Sequence, residues 1–161
     1  MRADCDQLSA MREFVVRAVL ALGSAPDLAS DVELAADEAV TNVIEHGYGS
    51  QPANADPRTP GRLSGEIELA VAREGDDLVL RILDAAPEFD PTKAPSPDIN
   101  APLETRSPGG CGIHLIRQLM DDMTYRRLSK IPARGPEGLN ELTLTKRGAF
   151  TGSPTAGAGS D

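Results

Sequence analysis

The chain has 161 residues, 40% hydrophobic and 3% aromatic with no tryptophan, and a formal charge of −9. That length suits one domain with an aliphatic core, and the acidic balance argues against a binder of phosphate backbones, whose affinity comes from clustered Lys and Arg. Cys5 and Cys111 lie far apart and outside any CxxC spacing, so neither a disulfide framework nor a zinc site is expected.

In chain order, "LSAMREFVVRAVLALG" carries Leu8, Met11, Phe14, Val15, Ala18, Val19 and Leu22 at helical spacing and stops at Gly23. A second helix is predicted from about Leu28 to His46, with Val32, Ala35, Ala36, Ala39, Val40 and Val43 as its buried stripe. Residues 48 to 65 are too rich in Pro, Gly, Asn and Ser for anything but a loop. "GEIELAVAR" and "DDLVLRILD" alternate as two strands joined by a hairpin turn. Residues 85 to 110 carry Pro87, Pro91, Pro95, Pro97, Pro102 and Pro108, which exclude helix and central strand. "CGIHLIRQLMDDM" restores a helix, and "MTYRRL" and "GLNELTLTK" read as two more strands. Residues 1–147 form the expected domain and 148–161 a disordered tail of small, polar residues. This order predicts a two-layer α/β sandwich, a mostly antiparallel mixed sheet with helices on one face. No apolar run approaches a membrane span and no signal peptide opens the chain, so a soluble, cytoplasmic protein is expected.

Three features carry possible chemistry. Glu38, Asn42 and His46 recur four apart along one edge of the second helix's apolar stripe. Such a row suits a solvated flank or the wall of a cleft, and spacing alone leaves both open. Asp84 closes a strand just before the chain turns through "AAPEFDP"; it either begins a turn or accepts a hydrogen bond from an exocyclic amine such as adenine's. In "SPGGCGIHLI", glycines 109, 110 and 112 run into a helix start, whose free N–H groups and dipole favour an anion. The Pro-rich stretch before it, from about Thr92 to Pro108, reads as a lid.

"DEAVTNVIEHGYG", "DAAPEFDP" and "GGCGIHLIRQLMDDMTYRR", closed by "LNELTLTK", resemble the N box and two glycine boxes of the GHKL (Bergerat-fold) ATPases. Within them the match is to the anti-sigma factor serine/threonine kinases of bacterial partner switches, over about Leu8 to Lys146. The resemblance implies ATP and Mg²⁺, with Glu38 as the catalytic carboxylate and Asn42 as nucleotide contact and metal ligand. It assigns further nucleotide contacts to Asp84, Ala86, Phe89, Gly109, Gly110, Cys111, Gly112 and Thr143. Arg12 corresponds to an arginine that grips the protein partner. Kinases of this family phosphorylate an anti-anti-sigma (STAS) protein and, in the alternative complex, hold a sigma factor inactive; a homodimer is their expected assembly. Ala86 departs from the family, which has glycine there, and leaves a rival reading: a switch that sequesters its partner with weak or no nucleotide binding.

Overall fold

Apolar residues three and four apart form helix α1, Leu8–Ala21, with Met11, Val15 and Val19 buried on one face. The computed structural model describes residues 7–48, 66–95, 110–128 and 138–151, with Gly110 and Cys111 described as backbone alone. Gly23 ends α1 at φ 89°, a left-handed conformation open to glycine, and its N–H donates to the Leu20 carbonyl. Helix α2 starts at Pro26, where the missing N–H is no loss, and continues to Asn42. Its buried row is Ala29, Val32, Ala35, Ala36, Ala39 and Val40. The predicted helix to His46 is corrected in its last turn: Val43–Tyr48 is π-helical, so its bonds reach five residues along the chain instead of four.

Strands β1 (Ile67–Glu74) and β2 (Asp77–Asp84) form a hairpin across Gly75 and Asp76, with Gly75 at φ 65° as a tight two-residue turn requires. With β3 (Asp122–Leu128) and β4 (Leu139–Lys146) they make a four-stranded sheet in the order β1-β2-β4-β3, and all three ladders are antiparallel. Period-two alternation turns Ile67, Leu78, Leu80, Ile82, Leu142 and Leu144 toward the helices, where they meet the buried rows of α1 and α2 in one core. Helix α3, Gly110–Leu119, adds Ile116. It ends at Leu119, one residue before Met120, the last apolar position of the expected helical period. The Lys146 ammonium donates to the Leu119 carbonyl at 2.9 Å and the Asp121 N–H to the Thr145 carbonyl at 2.9 Å, which turns the chain into β3.

The chain is thus an α/β sandwich with its helices on one face of the sheet, as the element order predicts. The boundary of the tail is corrected. Residues 148–151 fold back onto the β1–β2 hairpin: the Gly148 N–H donates to Asp77 Oδ1 at 2.8 Å and the Phe150 N–H to the Asp76 carbonyl at 3.1 Å. Phe150 is 3% exposed in the core, with the Arg73 guanidinium 4.4 Å from its ring centroid. Residues 152–161 lie outside the described residues, as do most of the 48–65 loop and the 96–108 part of the expected lid. No helix among the described residues is long and apolar enough to cross a membrane.

Candidate nucleotide site

Strand β2 carries Leu78, Leu80 and Ile82 on its core face, and the same alternation delivers Asp84 to that face at the strand's last position. Asp84 is 5% exposed. Its Oδ1 accepts from the Ala86 N–H at 2.8 Å and from Asn140 Nδ2 at 2.8 Å. Its Oδ2 has no hydrogen bond among the described residues, and Asp84 lines an open cavity. Burial pushes the Asp84 carboxyl above the ordinary carboxylate range, a rise restrained by the Asn140 amide, the Ala86 N–H and the Arg127 charge.

Asn140 sits opposite Asp84 in the β2–β4 ladder. Its Nδ2 also donates to the carbonyls of Ala86 at 3.1 Å and Pro87 at 3.3 Å. Its Oδ1 accepts from the Tyr125 hydroxyl at 2.7 Å and Arg127 Nη1 at 2.6 Å, and that nitrogen reaches the Ala86 carbonyl at 3.2 Å. The turn after Asp84 is tied at another point by Tyr48, whose hydroxyl accepts from the Ala85 N–H at 3.1 Å and donates to the Glu66 carbonyl. Burial is the main cause that pushes the Tyr48 hydroxyl up to about 12.

The cavity lies between this turn and the end of α2, with Asn42, Gly47, Asp84, Ala86 and Phe89 in its walls. It measures about 460 Å³ counting the open solvent at its mouth. Phe89 in its wall is 44% exposed. The π-helical turn decides which residue joins Asn42 here. In an α-helix His46, four residues on, would stack above it; in the wider turn Gly47, five residues on, lines the cavity instead. His46 is exposed, its ring 6.4 Å from that of Phe89.

Ala86 is 2% exposed, and a Cβ added at Gly47 would stand 2.7 Å from its methyl carbon. The alanine is accommodated because its neighbour across the cavity wall is a glycine. Along α2, Glu38 meets the first turn of α3: a Cβ added at Gly112 would lie 2.5 Å from Glu38 Oε2 and 3.5 Å from Asn42 Nδ2. Glycine at 112 lets the row pack directly on the helix start. Neither Glu38 nor Asn42 has a hydrogen bond or ion pair among the described residues. Gly110 and Cys111 open α3 as backbone beside them, and Gly109 lies outside the described residues. Among the described residues no group of three or more His, Cys, Asp or Glu could hold a metal, so an ion here would lean on the Asn42 amide oxygen and its ligand's own oxygens.

Thr143 is not part of this gathering. It pairs with Arg81 and Thr124 in the two ladders, and alternation puts it on the sheet face opposite Asn140, Leu142 and Leu144. The position that reaches Asp84 is Asn140, and sequence reasoning passed over it with Tyr125 and Arg127. Arg12 is clamped on α2: its Nε and Nη2 reach the two Asp37 carboxylate oxygens at 2.8 and 2.9 Å, while the guanidinium stays half exposed.

Fold and site together define an α/β sandwich with a cleft on its helical side: a buried carboxylate, Asp84, lines the cleft, and a helix start packs against an acid and an amide, Glu38 and Asn42. The chain belongs to the histidine kinase-like ATPase domain family, which it matches over residues 1–146. It is 33% identical over 116 residues to the serine/threonine-protein kinase BtrW of Bordetella bronchiseptica, covering 72% of this chain and 68% of that protein. It is 31% identical over 106 residues to the serine-protein kinase RsbW of Bacillus cereus, and 30% over 106 to that of Bacillus mycoides. Those matches cover 63% of this chain and 59% of each RsbW protein, short of two thirds of their length.

Proposed function

We propose that this chain is an ATP- and Mg²⁺-dependent protein serine/threonine kinase that acts as an anti-sigma factor in the cytoplasm. It phosphorylates an anti-anti-sigma protein of the STAS type and, in the alternative complex, holds a sigma factor. The observation that carries the reading is the placement of Asp84: it lines a cavity with Asn42 in the same walls, and one of its oxygens is bonded while the other has no hydrogen bond among the described residues. Family membership and the kinase names of the relatives support the phosphotransfer; the sigma factor and STAS partners rest on the family resemblance.

The chain's residues divide the work by chemistry. Asp84 Oδ2 accepts a hydrogen bond from the exocyclic amine of the purine. The first-turn N–H groups of α3 face the phosphates. Asn42 offers an amide oxygen, the hard donor that Mg²⁺ prefers, and the ion neutralises phosphate charge when bound. Glu38 takes the proton from the substrate hydroxyl as its oxygen bonds the γ-phosphorus and the bond to the ADP oxygen breaks. The seating of the Ala86 methyl against Gly47 supports the nucleotide-binding reading over a nucleotide-free switch.

The test is incubation with radiolabelled ATP, Mg²⁺ and the cognate STAS protein, comparing wild type with Glu38→Ala and Asn42→Ala. Label on a serine or threonine that disappears in both variants supports the kinase. Tight partner binding without transfer by the wild type overturns it in favour of a sequestering switch.

A further inference from the structure

The hydrogen bonds around Asp84 run outward to a residue that no part of the function above uses. Asn140 Nδ2 meets three acceptors, Asp84 Oδ1 and the Ala86 and Pro87 carbonyls. Its Oδ1 meets two donors, the Tyr125 hydroxyl and the Arg127 guanidinium. This arrangement admits one orientation of the amide. Reversed, the Asn140 NH₂ would face a guanidinium, which cannot accept a hydrogen bond, and its oxygen would face a carboxylate and two carbonyls, which cannot donate. The amide is therefore locked, and it locks the carboxylate in turn. Asp84 Oδ1 is occupied by two donors at 2.8 Å, both held on the scaffold, which leaves Oδ2, with no hydrogen bond among the described residues, as the acceptor that this cavity-lining residue has to offer.

We propose that Asn140 is a positioning residue for base selection: by pinning Asp84 Oδ1 it makes the site demand a hydrogen-bond donor at the purine 6-position. This rests on the nucleotide reading above. A 6-amino purine supplies the donor. A 6-oxo purine sets a carbonyl against a carboxylate whose rotation is blocked, and an unpaired polar contact in a buried site is costly. Without Asn140 the carboxylate swings off the 6-position, so the bond to the amine loses its fixed geometry and the clash with a 6-oxo base eases with it.

Calorimetric affinities for ATP and for ITP, which carries oxygen in place of the 6-amine, test this in wild type, Asn140→Ser, Tyr125→Phe and Asp84→Asn. Wild type prefers ATP. Asn140→Ser cuts the ATP-to-ITP ratio by about tenfold or more, mainly through ATP, as expected when a hydrogen bond to a charged group loses its geometry. Tyr125→Phe, which removes one of the two donors holding the Asn140 oxygen, shifts the ratio the same way by a smaller factor. A merely structural role for Asn140 weakens both nucleotides alike; that result, or an unchanged ratio, overturns the proposal and leaves the kinase reading standing. If Asn140→Ser does not fold, Tyr125→Phe carries the test, and a wild-type ratio there overturns it. A ratio that survives Asp84→Asn means Asp84 does not read the base, and that result removes both readings together.

Discussion

The two ends of the cleft are built differently. Around Asp84 the turn is tied to the scaffold at several points: by Tyr125, Arg127 and Asn140 from two neighbouring strands, and by Tyr48 from the helical layer. Along α2, Glu38 and Asn42 face the start of α3 with no hydrogen bond among the described residues. On the proposed function, the contrast suits what each end would handle. A purine edge is rigid and neutral, so a fixed acceptor recognises it at little entropic cost. A phosphate chain and its ion carry dense charge that changes through the reaction, and groups without other partners are free to engage it.

The largest expected effect lies at the open end. Glu38→Gln keeps shape and removes the base, so phosphoryl transfer falls by about 10²-fold or more, within the usual contribution of a positioned general base. ATP affinity moves little in the same variant. A large drop in affinity with turnover preserved at saturating ATP would mean that Glu38 belongs to binding, and the division between the two ends would fail.

At the closed end, Asp84→Asn separates stability from function. The substituted oxygen still accepts from Asn140 and Ala86, but an NH₂ now meets the base amine, and ATP affinity falls by about tenfold or more. Stability moves the other way. Burial raises the folded-state pKa of Asp84 above its unfolded value, so its contribution is favourable while the carboxyl is protonated and is lost as pH rises through the folded pKa. The asparagine carries no such penalty. Thermal unfolding should show the variant matching wild type at acid pH and exceeding it once pH passes the folded pKa. An advantage that shrinks as pH rises would mean that Asp84 is better solvated than its burial indicates.

Much of the molecule is legible in its sequence, and the gaps have physical causes. Helix and strand periods give the layers and the order of elements, because apolar side chains must share a face whatever else the chain does. Glu38, Asn42 and Asp84 stand out through residue type and spacing. Asn140 does not, since an asparagine one residue into a strand gives no hint of which carboxylate faces it across the ladder. Thr143 was the natural candidate on a nucleotide-binding last strand, but its parity puts it on the far face of the sheet, and parity depends on where pairing starts. The π-helical turn escapes a pattern search because one residue of register changes only whether His46 or Gly47 looks inward. Phe150 was lost in a tail of small residues because a lone aromatic has no period.

A third variant returns to the contact between α2 and α3. In Gly112→Ala the new methyl would collide with Glu38 Oε2, the far end of a flexible side chain, so the carboxylate shifts and the fold tolerates the change. Stability should change by less than about 1 kcal/mol, while turnover falls by about tenfold, since small misplacements of a reacting group are expensive. Turnover at the wild-type level would show that Glu38 reaches its working position from elsewhere.

The smallest effect on ATP binding, and the sharpest test of the cavity wall, concerns Gly47 and Ala86. Gly47→Ala sets two methyl carbons 2.7 Å apart, well inside contact distance, on a turn whose π-helical path leaves little slack. Overpacking of this kind costs about 1–3 kcal/mol, read as a lower unfolding midpoint in urea. Adding Ala86→Gly removes the opposing methyl, so the double variant should recover most of the loss, although part persists because glycine loosens the unfolded chain. ATP affinity in the double variant should stay near wild type, because the Asp84 carboxylate is held through the Asn140 amide and the residue 86 N–H, and neither depends on the side chain at 86. Equal losses in the single and double variants would place the cost of Gly47→Ala in the backbone of the π turn, and Ala86 would then owe its fit to some other neighbour.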